Sequence, residues 1–162
     1  MIFIYIGVAL LAICFGGVLM VGAPYLPTLS PQVTAALTLA KLKPGETLLE
    51  LGCGDGKVLI AAARAGYNAV GYELNPIMAL IAWARTRRYK KQVRVVCGDF
   101  WRTDWPQSAA IFAFLLPKYM DKLDKRIVQY NHKPIKLVSF AFKIPEKKID
   151  TELAGVFLYN YR

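Results

Sequence analysis

Apolar and polar residues alternate along this chain in blocks that predict strands and helices in turn. Six short apolar runs have the length of buried strands, and they cover residues 47–51, 68–74, 93–97, 109–116, 135–142 and 156–161. Helix-forming stretches separate most of them, beginning at Pro31, Lys57, Pro76 and Lys118. The sequence therefore predicts an α/β fold with a mostly parallel sheet covered on both faces. The last strand has no room for a helix before it, so we expect it to run antiparallel to its neighbour.

The N-terminal block departs from this alternation. Residues 2–23 carry no charge, and about 20 such residues, at a rise of about 1.5 Å each, cross the hydrocarbon core of a bilayer. We therefore predict a transmembrane helix over residues 1–23. A cleaved signal peptide is the alternative, although only the amino group of Met1 supplies positive charge ahead of the apolar run. Lys41 and Lys43 follow the segment, so the positive-inside rule predicts a single-pass membrane protein whose globular part faces the cytoplasm.

Prolines organise the segment that follows. Three prolines between residues 24 and 31 favour an extended chain, because proline is not tolerated inside a helix. Pro31 then suits the first turn of a helix with Ser30 as its N-cap. We therefore predict an extended linker and a helix over residues 24–46, which cover the cofactor site, and one globular domain over residues 47–162.

The composition is that of one domain with an excess of positive charge. The chain has 162 residues, 56% of them hydrophobic, and a formal net charge of +10. The densest basic run lies near the end of the helix that begins at Pro76, and it consists of Arg85, Arg87, Arg88, Lys90, Lys91 and Arg94. The run either caps the helix and stays solvated or faces anionic lipid, and both interpretations stay open. We do not expect nucleic acid as a partner, because aromatic residues are not interleaved with this run as stacking platforms.

Two other patterns predict structure rather than chemistry. One is an apolar face on the helix that begins at Pro76, and we expect it to pack on the sheet; it comprises Ile77, Leu80, Ile81 and Ala84, with Trp83 beside them. The other is the cysteine set, Cys14, Cys53 and Cys97. These three have no metal-ligand spacing, so the sequence indicates neither a disulfide framework nor a metal site.

The candidate chemistry centres on the turn after the first strand, in the sequence TLLELGCGDGK at residues 47–57. Three glycines at alternate positions let the backbone turn sharply and lie directly against a ligand. A dinucleotide site would need G-x-G-x-x-G and a P-loop would need Gly-Lys-Ser/Thr, but Lys57 and Val58 stand at the discriminating positions. Glu50 and Asp55 would repel a pyrophosphate, whereas they suit a ligand with an ammonium, a sulfonium and ribose hydroxyls.

Two further carboxylates follow predicted strands. Glu73 ends the second strand, where it can accept hydrogen bonds from both ribose hydroxyls of an adenosine ligand. Asp99 follows the third strand and can accept from an adenine amine while Phe100 or Trp101 covers the ring. The alternative is that Asp99 is only a turn residue after Gly98. Glu73 alone indicates an adenosine ligand and does not distinguish methyl transfer from nicotinamide chemistry.

The pattern Glu50-x-Gly52-x-Gly54-x-Gly56 resembles motif I of the class I, seven-strand methyltransferases that use S-adenosylmethionine. Together with residues 24–28, 71–76 and 98–101, it resembles the membrane-anchored protein-lysine methyltransferases of the ATP synthase c-subunit and adenine nucleotide translocase type. The resemblance implies a Rossmann-like class I methyltransferase sheet, shortened at the C-terminus and preceded by one transmembrane helix. It also implies S-adenosylmethionine as the cofactor.

The resemblance also implies the site residues. The cofactor would be held by Thr28, Glu50, Gly52, Cys53, Gly54, Asp55, Gly56, Glu73, Leu74, Asn75, Asp99, Phe100 and Trp101. The acceptor would meet Tyr25, Pro117 and Tyr119, with Trp101 and Phe142 as further walls of a slot for an aliphatic lysine stem. Amino-methylating enzymes of this fold often carry Asp/Asn-Pro-Pro-Tyr/Phe after the fourth strand. This chain has LLPKY at residues 115–119, which counts against an adenine or amide acceptor.

These observations together predict a membrane-tethered, S-adenosylmethionine-dependent protein-lysine N-methyltransferase. The expected partners are an acceptor lysine, in a membrane protein or in the chain itself, and the membrane through residues 2–23. Among enzymes, the alternative is a methyltransferase acting on RNA or a small amine. From a different class, the alternative is a non-catalytic adaptor that binds S-adenosylmethionine at the membrane.

Overall fold

The helices and strands follow the predicted α/β alternation. The structure is a computed structural model in which residues 1, 4–5, 26–130 and 134–162 are described. The helices of this part are α1 (Ser30–Ala40), α2 (Lys57–Arg64), α3 (Pro76–Thr86) and α4 (Met120–Val128), with 3-10 turns at Arg87–Tyr89 and Pro117–Tyr119. The strands are β1 (Thr47–Leu51), β2 (Asn68–Glu73), β3 (Val93–Cys97), β4 (Ala110–Ala113), β5 (Ile135–Phe140), β6 (Thr151–Leu153) and β7 (Val156–Tyr161).

Within the described residues, these seven strands form one sheet in the order β3-β2-β1-β4-β5-β7-β6. Strands β1 to β5 run parallel, and β7 pairs antiparallel with β5 and with β6. The predicted mostly parallel sheet with an antiparallel last strand is therefore confirmed. The strand order reverses direction at β1, and open α/β sheets bind their ligands at the carboxyl ends of the strands beside such a switch point.

Both faces of the sheet are covered, and β1 shows how. Leu48 belongs to the apolar core that α1, α2 and α3 share with the sheet. Leu49 and Leu51 belong to a second core that contains α4. All three leucines are 0–1% exposed. Because successive side chains of a strand point to opposite faces, this continuous apolar run is the pattern expected of a strand buried on both sides.

The start of α3 is fixed by local sequence. Asn75 is its N-cap, and the side-chain Oδ1 accepts from the backbone N–H groups of Ile77 at 2.9 Å and Met78 at 3.3 Å. Pro76 follows at the first helical position, where a missing N–H costs nothing. The dipeptide therefore ends β2 and begins the helix within three residues, close to the carboxyl edge of the sheet.

The prediction of an N-terminal transmembrane helix in a single-pass membrane protein has to be corrected. Among residues 1, 4–5, 26–130 and 134–162, no helix has both the length and the apolar composition to cross a bilayer. A span needs about 20 consecutive apolar residues, and helices α1 and α3 have 11 residues each. Of the predicted span, only Met1, Ile4 and Tyr5 are described, and all three are exposed; its other residues lie outside the described part.

The predicted packing face of α3 is also wrong. The residues of α3 that are buried are Met78, Ala79, Ala82 and Thr86. Leu80, Ile81 and Trp83 are 62%, 39% and 51% exposed. The reason is the close approach of α2, since a Cβ at Gly56 would lie 3.2 Å from the Cβ of Ala82. Small side chains are needed there, and the large apolar residues are left on the outer face.

The C-terminal end of the sheet has one more strand than predicted. Strand β6 consists of three exposed residues, so it has no apolar alternation that would reveal it. Residues 141–150, which connect β5 to β6, contain no helix. The expected shortening at the C-terminus therefore affects only the connection between β5 and β6, which has no helix. The sheet itself is not shortened, because it includes β6 and β7. Strands β4 and β5 end three and two residues earlier than predicted, at Ala113 and Phe140.

Candidate active site

The glycine turn consists of residues 52–56 and connects the end of β1 directly to the start of α2. Gly52, Gly54 and Gly56 have φ angles of +83°, +52° and +78°, in the left-handed region that side chains with a Cβ rarely adopt. The N–H groups of Gly52 and Cys53 donate to the carbonyl of Tyr72 at 2.9 Å and 2.8 Å. The turn is therefore held against the end of β2, beside Glu73.

Glu73 holds the turn from the other side. Its Oε2 accepts from the backbone N–H of Gly54 and its Oε1 accepts from the backbone N–H of Asn75, both at 2.8 Å. The side chain is 9% exposed and lines the cavity described below. Each carboxylate oxygen accepts one of these bonds and has a second lone pair. Glu73 thus both shapes the turn and keeps acceptor capacity toward a ligand.

Gly71 makes the approach of the turn to β2 possible. A Cβ at this position would lie 2.6 Å from Cδ1 of Leu59 and 2.7 Å from Cβ of Cys53. Real Cβ atoms do not come that close, so any side chain here would displace the turn at Cys53 and the tip of the Leu59 side chain in α2. The sequence reveals Gly71 only as part of a motif, and the contact explains why glycine stands there.

Glu50 is a buried carboxylate beside the turn. It is 4% exposed, and burial, followed by the negative charge of Glu73, raises its pKa well above the usual range of a glutamate. Among the described residues, its Oε2 and the Nδ2 of Asn75 are buried without a hydrogen-bond partner. Both residues line the cavity. An acceptor and a donor are therefore available to a ligand with an ammonium group and hydroxyls.

A cavity of about 790 Å³ lies at the carboxyl ends of the strands. Ligand sites typically have volumes of about 300–1,000 Å³. The cavity brings together most of the predicted cofactor residues, namely Thr28, Glu50, Gly52, Cys53, Gly54, Asp55, Glu73, Leu74, Asn75, Asp99, Phe100 and Trp101. It also includes the predicted acceptor residues Tyr119 and Phe142, beside Phe114, Leu115 and Leu116. One space thus joins an acidic glycine turn to an aromatic slot.

The aromatic side of the cavity is organised around Trp101. Its ring centroid lies 4.7 Å from that of Phe100 and 6.1 Å from that of Tyr119. The ammonium of Lys122 lies 4.2 Å from the centre of the Trp101 ring. Asp99 accepts from the backbone N–H of Trp101 at 2.8 Å, and Arg126 donates to the Trp101 carbonyl at 2.9 Å. These contacts fix Trp101 at the wall of the cavity.

Four predicted site residues have other positions or partners. Gly56 and Pro117 are not among the described residues that line the cavity; Gly56 packs against α3, and Pro117 begins the 3-10 turn that carries Tyr119. Asp55 lines the cavity, but its carboxylate also forms an ion pair with Arg85. Tyr25 lies outside the described residues.

The cysteine in the turn, Cys53, is buried. Burial raises the pKa of the Cys53 thiol, and the nearby charges of Glu50 and Glu73 raise it further. The thiolate is the reactive form of cysteine, and a raised pKa keeps this thiol protonated at neutral pH. Its small side chain instead packs against Gly71.

Some lining residues were not identified from the sequence. Lys57 donates from Nζ to the carbonyl of Thr28 at 2.9 Å and thereby connects the extended segment to the start of α2. Lys122 and Met78 line the cavity from α4 and α3. The sequence shows Lys57 at the position where a G-x-G-x-x-G motif would have its third glycine. It does not show that Lys57 contacts Thr28, which is 29 positions away. Lys122 and Met78 carry no sequence signal, because neither belongs to a motif.

Comparison with known proteins agrees with this geometry. The family model of the ANTKMT methyltransferase domain matches residues 50–151. The ATP synthase c-subunit lysine N-methyltransferase of Xenopus laevis is 30% identical over 126 residues, which are 75% of this chain and 54% of that protein. A protein-lysine N-methyltransferase of Saccharolobus islandicus is 29% identical over 75% of this chain and 78% of its own length. The chain spans about half the length of the ATP synthase c-subunit methyltransferases it matches first.

A solved structure matches the fold over most of its length. It is an RNA methyltransferase of Salinibacter ruber in complex with S-adenosyl-L-homocysteine, 28% identical, with a TM-score of 0.76, covering 84% of this chain and 92% of that one. The family match confirms the predicted class I methyltransferase fold and the predicted cofactor, S-adenosylmethionine. The family model covers the glycine turn, Glu73 and most of the cavity lining. This chain therefore belongs to the ANTKMT methyltransferase domain family.

Proposed function

We propose that this chain transfers a methyl group from S-adenosylmethionine to the ε-amine of a lysine side chain in a protein. The observation that carries the proposal is the cavity in which the acidic glycine turn and the aromatic slot share one space. The carboxylates suit a cationic nucleoside, and the aromatic rings suit the aliphatic stem of a lysine.

The acidic half would hold the cofactor. Glu50 and the turn at Gly52 and Gly54 would meet its amino-acid end, where the unpartnered Oε2 of Glu50 can accept from the ammonium. Glu73 would accept from the ribose hydroxyls with its remaining lone pairs. Asp99 would accept from the adenine amine, with Phe100 against the ring.

The aromatic half would hold the acceptor. Trp101, Tyr119 and Phe142 line this part of the cavity, and we propose that Thr28, which also lines it, covers the methionine end of the cofactor from the extended segment. We also assign Tyr25 to this group by the family resemblance, as a prediction. The 3-10 turn that begins at Pro117 positions Tyr119, which is the role that the geometry supports for that proline.

The chemistry asks mainly for alignment. When bound, S-adenosylmethionine supplies an activated methyl group on a sulfonium; the methyl carbon–sulfur bond breaks as the carbon–nitrogen bond forms. The slot has to hold a neutral amine in line with that bond, and orientation of this kind contributes up to about 7–11 kcal/mol to lowering a barrier. An apolar wall and the nearby Lys122 ammonium both lower the pKa of an incoming amine. The proton then leaves to solvent, so no dedicated general base is required.

The slot and the relatives both support a protein lysine as the acceptor. Lysine methyltransferases named for the ATP synthase c-subunit, for the adenine nucleotide translocase and for proteins in general are similar to this chain. The lining residues Phe114, Leu115 and Leu116 bring no carboxylate or amide to orient a planar amine. Lysines of the chain itself are a further candidate acceptor, supported by composition alone.

Methylation of RNA is the second candidate, because the Salinibacter ruber neighbour is an RNA methyltransferase. To separate the two, the purified chain is incubated with a cell extract and a donor labelled in its methyl group, and the products are treated with protease or nuclease. We expect the label to be lost to protease and to be recovered as methyl-lysine after hydrolysis. Label lost to nuclease would establish the RNA alternative, and cofactor binding without any transfer would establish the adaptor.

A matched pair of variants ties the transfer to the site. Glu73→Ala removes the acceptor for Gly54 and Asn75 and for the ribose, and we expect it to reduce transfer by at least about a hundredfold, since charged hydrogen bonds contribute about 1.5–3 kcal/mol each. Glu152→Ala, on exposed strand β6, makes the same change away from the cavity and should leave transfer unchanged. Equal activities of the two variants would refute this assignment of the site.

A further inference from the structure

The outer face of α3 carries large apolar side chains that the described residues do not cover. We define this outer face as Ile77, Leu80, Ile81, Trp83 and Ala84. Three of the five, Leu80, Ile81 and Trp83, are 62%, 39% and 51% exposed and stand within four consecutive positions. A helix that covers a sheet ordinarily presents polar side chains to water, and clustered exposed apolar residues mark an interaction surface.

A basic run continues this face without interruption. All six basic residues from Arg85 to Arg94 are exposed, and the sequence contains no acidic residue between Glu73 and Asp99. The guanidinium of Arg87 lies 4.9 Å from the centre of the Trp83 ring, which joins the basic run to the apolar face. Arg85 is paired with Asp55 at the rim of the glycine turn. The surface therefore combines apolar contact area with charge of one sign.

The chemistry of the surface selects one partner. The outer face has no hydroxyl, amide or carboxyl side chain with which to make directional bonds to a folded protein. An anionic lipid surface needs none, because it offers negative charge that is laterally uniform and an apolar layer beneath it. Indole rings favour the depth of the lipid head groups, and basic residues favour the phosphates above. A helix with these two features side by side lies in the interface plane.

We propose that the outer face of α3, with the basic run after it, contacts the surface of an anionic lipid bilayer. The contact is peripheral: α3 has 11 residues and a length of about 16 Å, too short to cross a bilayer. Trp83 and Leu80 enter the head-group region, while Arg88, Lys90 and Lys91 meet lipid phosphates. The inference is independent of the proposed methyl transfer, and either can fail without the other.

The charge requirement is tested with vesicles. The full chain is mixed with vesicles of phosphatidylcholine alone, or with vesicles in which phosphatidylserine replaces part of it. We expect stronger binding to the anionic vesicles and a loss of about a hundredfold in the partition coefficient for Arg88→Gln/Lys90→Gln/Lys91→Gln, since each basic residue near such a surface contributes about fivefold. The matched control Lys43→Gln/Lys125→Gln/Lys148→Gln removes the same charge from other exposed positions and should lose far less. Equal losses in the two variants would overturn the proposal.

The apolar requirement is tested at Trp83 itself. Lipids with brominated acyl chains quench indole fluorescence on contact, and we expect them to quench a component that is absent from Trp83→Phe. Leu80→Ser/Ile81→Ser should weaken anionic-vesicle binding, whereas Val128→Ser/Leu153→Ser, at positions 50% and 44% exposed, should not. Binding of S-adenosylhomocysteine by every variant verifies that the fold is intact. Quenching that persists in Trp83→Phe, or self-association or capture of an acidic protein through this face without lipid binding, would overturn the proposal.

Discussion

Gly71 is the residue at which the backbone of the site has least room. Its missing Cβ would lie 2.6 Å from Leu59 and 2.7 Å from Cys53, so Gly71→Ala has to push the glycine turn away from β2. We expect a loss of about 1–3 kcal/mol in the free energy of unfolding, the usual cost of overpacking. Because the displaced turn carries the N–H of Gly54 that Glu73 accepts, cofactor affinity should fall as well. Urea unfolding and calorimetry with S-adenosylhomocysteine measure the two effects.

Gly98 provides the matched control for this substitution. It follows β3 in the same region, and a Cβ built there meets no described atom within 4 Å. Gly98→Ala makes the same chemical change without a clash, so its unfolding free energy should stay within about 0.5 kcal/mol of the parent. If Gly71→Ala were as harmless as Gly98→Ala, the close contact between β2 and the turn would not exist as described.

At the scale of elements, one lysine connects the extended segment to the cofactor turn. Lys57 donates from Nζ to the carbonyl of Thr28 at 2.9 Å, and both residues line the cavity. Lys57→Met keeps the aliphatic stem and removes the donor. We expect S-adenosylhomocysteine to dissociate about two- to thirteenfold faster, because a lost hydrogen bond contributes about 0.5–1.5 kcal/mol. Stopped-flow displacement measures the rate.

Lys43→Met serves as the reference for that experiment, because Lys43 is exposed and does not line the cavity. Its dissociation rate should match that of the parent. An unchanged rate in Lys57→Met would show that the extended segment holds its place without the lysine, and the proposed role of Thr28 as a cover would then lose its main support.

Sequence patterns predict some of the strands and helix faces and miss others. The sequence predicts strands β1, β3 and β7 because each is a mainly apolar run of five or six residues bounded by turn residues. Strand β6 was missed because its three residues are exposed and owe their pairing to β7. The orientation of α3 was missed because apolar residues occur on all its sides, and the choice between faces depends on the approach of Ala82 to Gly56.

The same limit applies to the site. Glycines and carboxylates at strand ends could be predicted to meet, since parallel strands end at one edge of a sheet. Contacts made by long flexible side chains could not. Lys57 reaches Thr28 and Lys122 reaches Trp101 across distances in sequence that no local pattern records.

At the scale of the whole molecule, Glu50 couples folding to protonation. Burial raises its pKa in the folded state, so the folded chain holds a proton that the unfolded chain has released. The resulting contribution to stability is fully present below the ordinary glutamate pKa and is lost as the pH rises through the raised pKa. Glu50→Gln removes this dependence. We expect its unfolding free energy, relative to the parent, to rise as the pH increases above the ordinary glutamate pKa, by about 1.4 kcal/mol per unit of pKa shift.

Cofactor affinity should depend on pH in the opposite direction to stability. A cationic ligand favours the ionised carboxylate, so its binding releases a proton and tightens as the pH rises. Calorimetry in buffers of different ionisation enthalpy counts that proton. Parallel pH profiles of Glu50→Gln and the parent, for unfolding and for binding, would assign the coupling to another group.

The packing of α1 has a consequence for how the polypeptide is made. This helix precedes every strand of the described chain, yet it contacts β5, β6 and β7, the last three strands of that part. The ammonium of Lys136 also donates to the carbonyl of Ala40 at the C-terminal end of α1, 2.7 Å away. During translation, α1 therefore leaves the ribosome before β5, β6 and β7 have been synthesised. The apolar side of the helix that packs on these strands stays exposed until residue Tyr161 has been added.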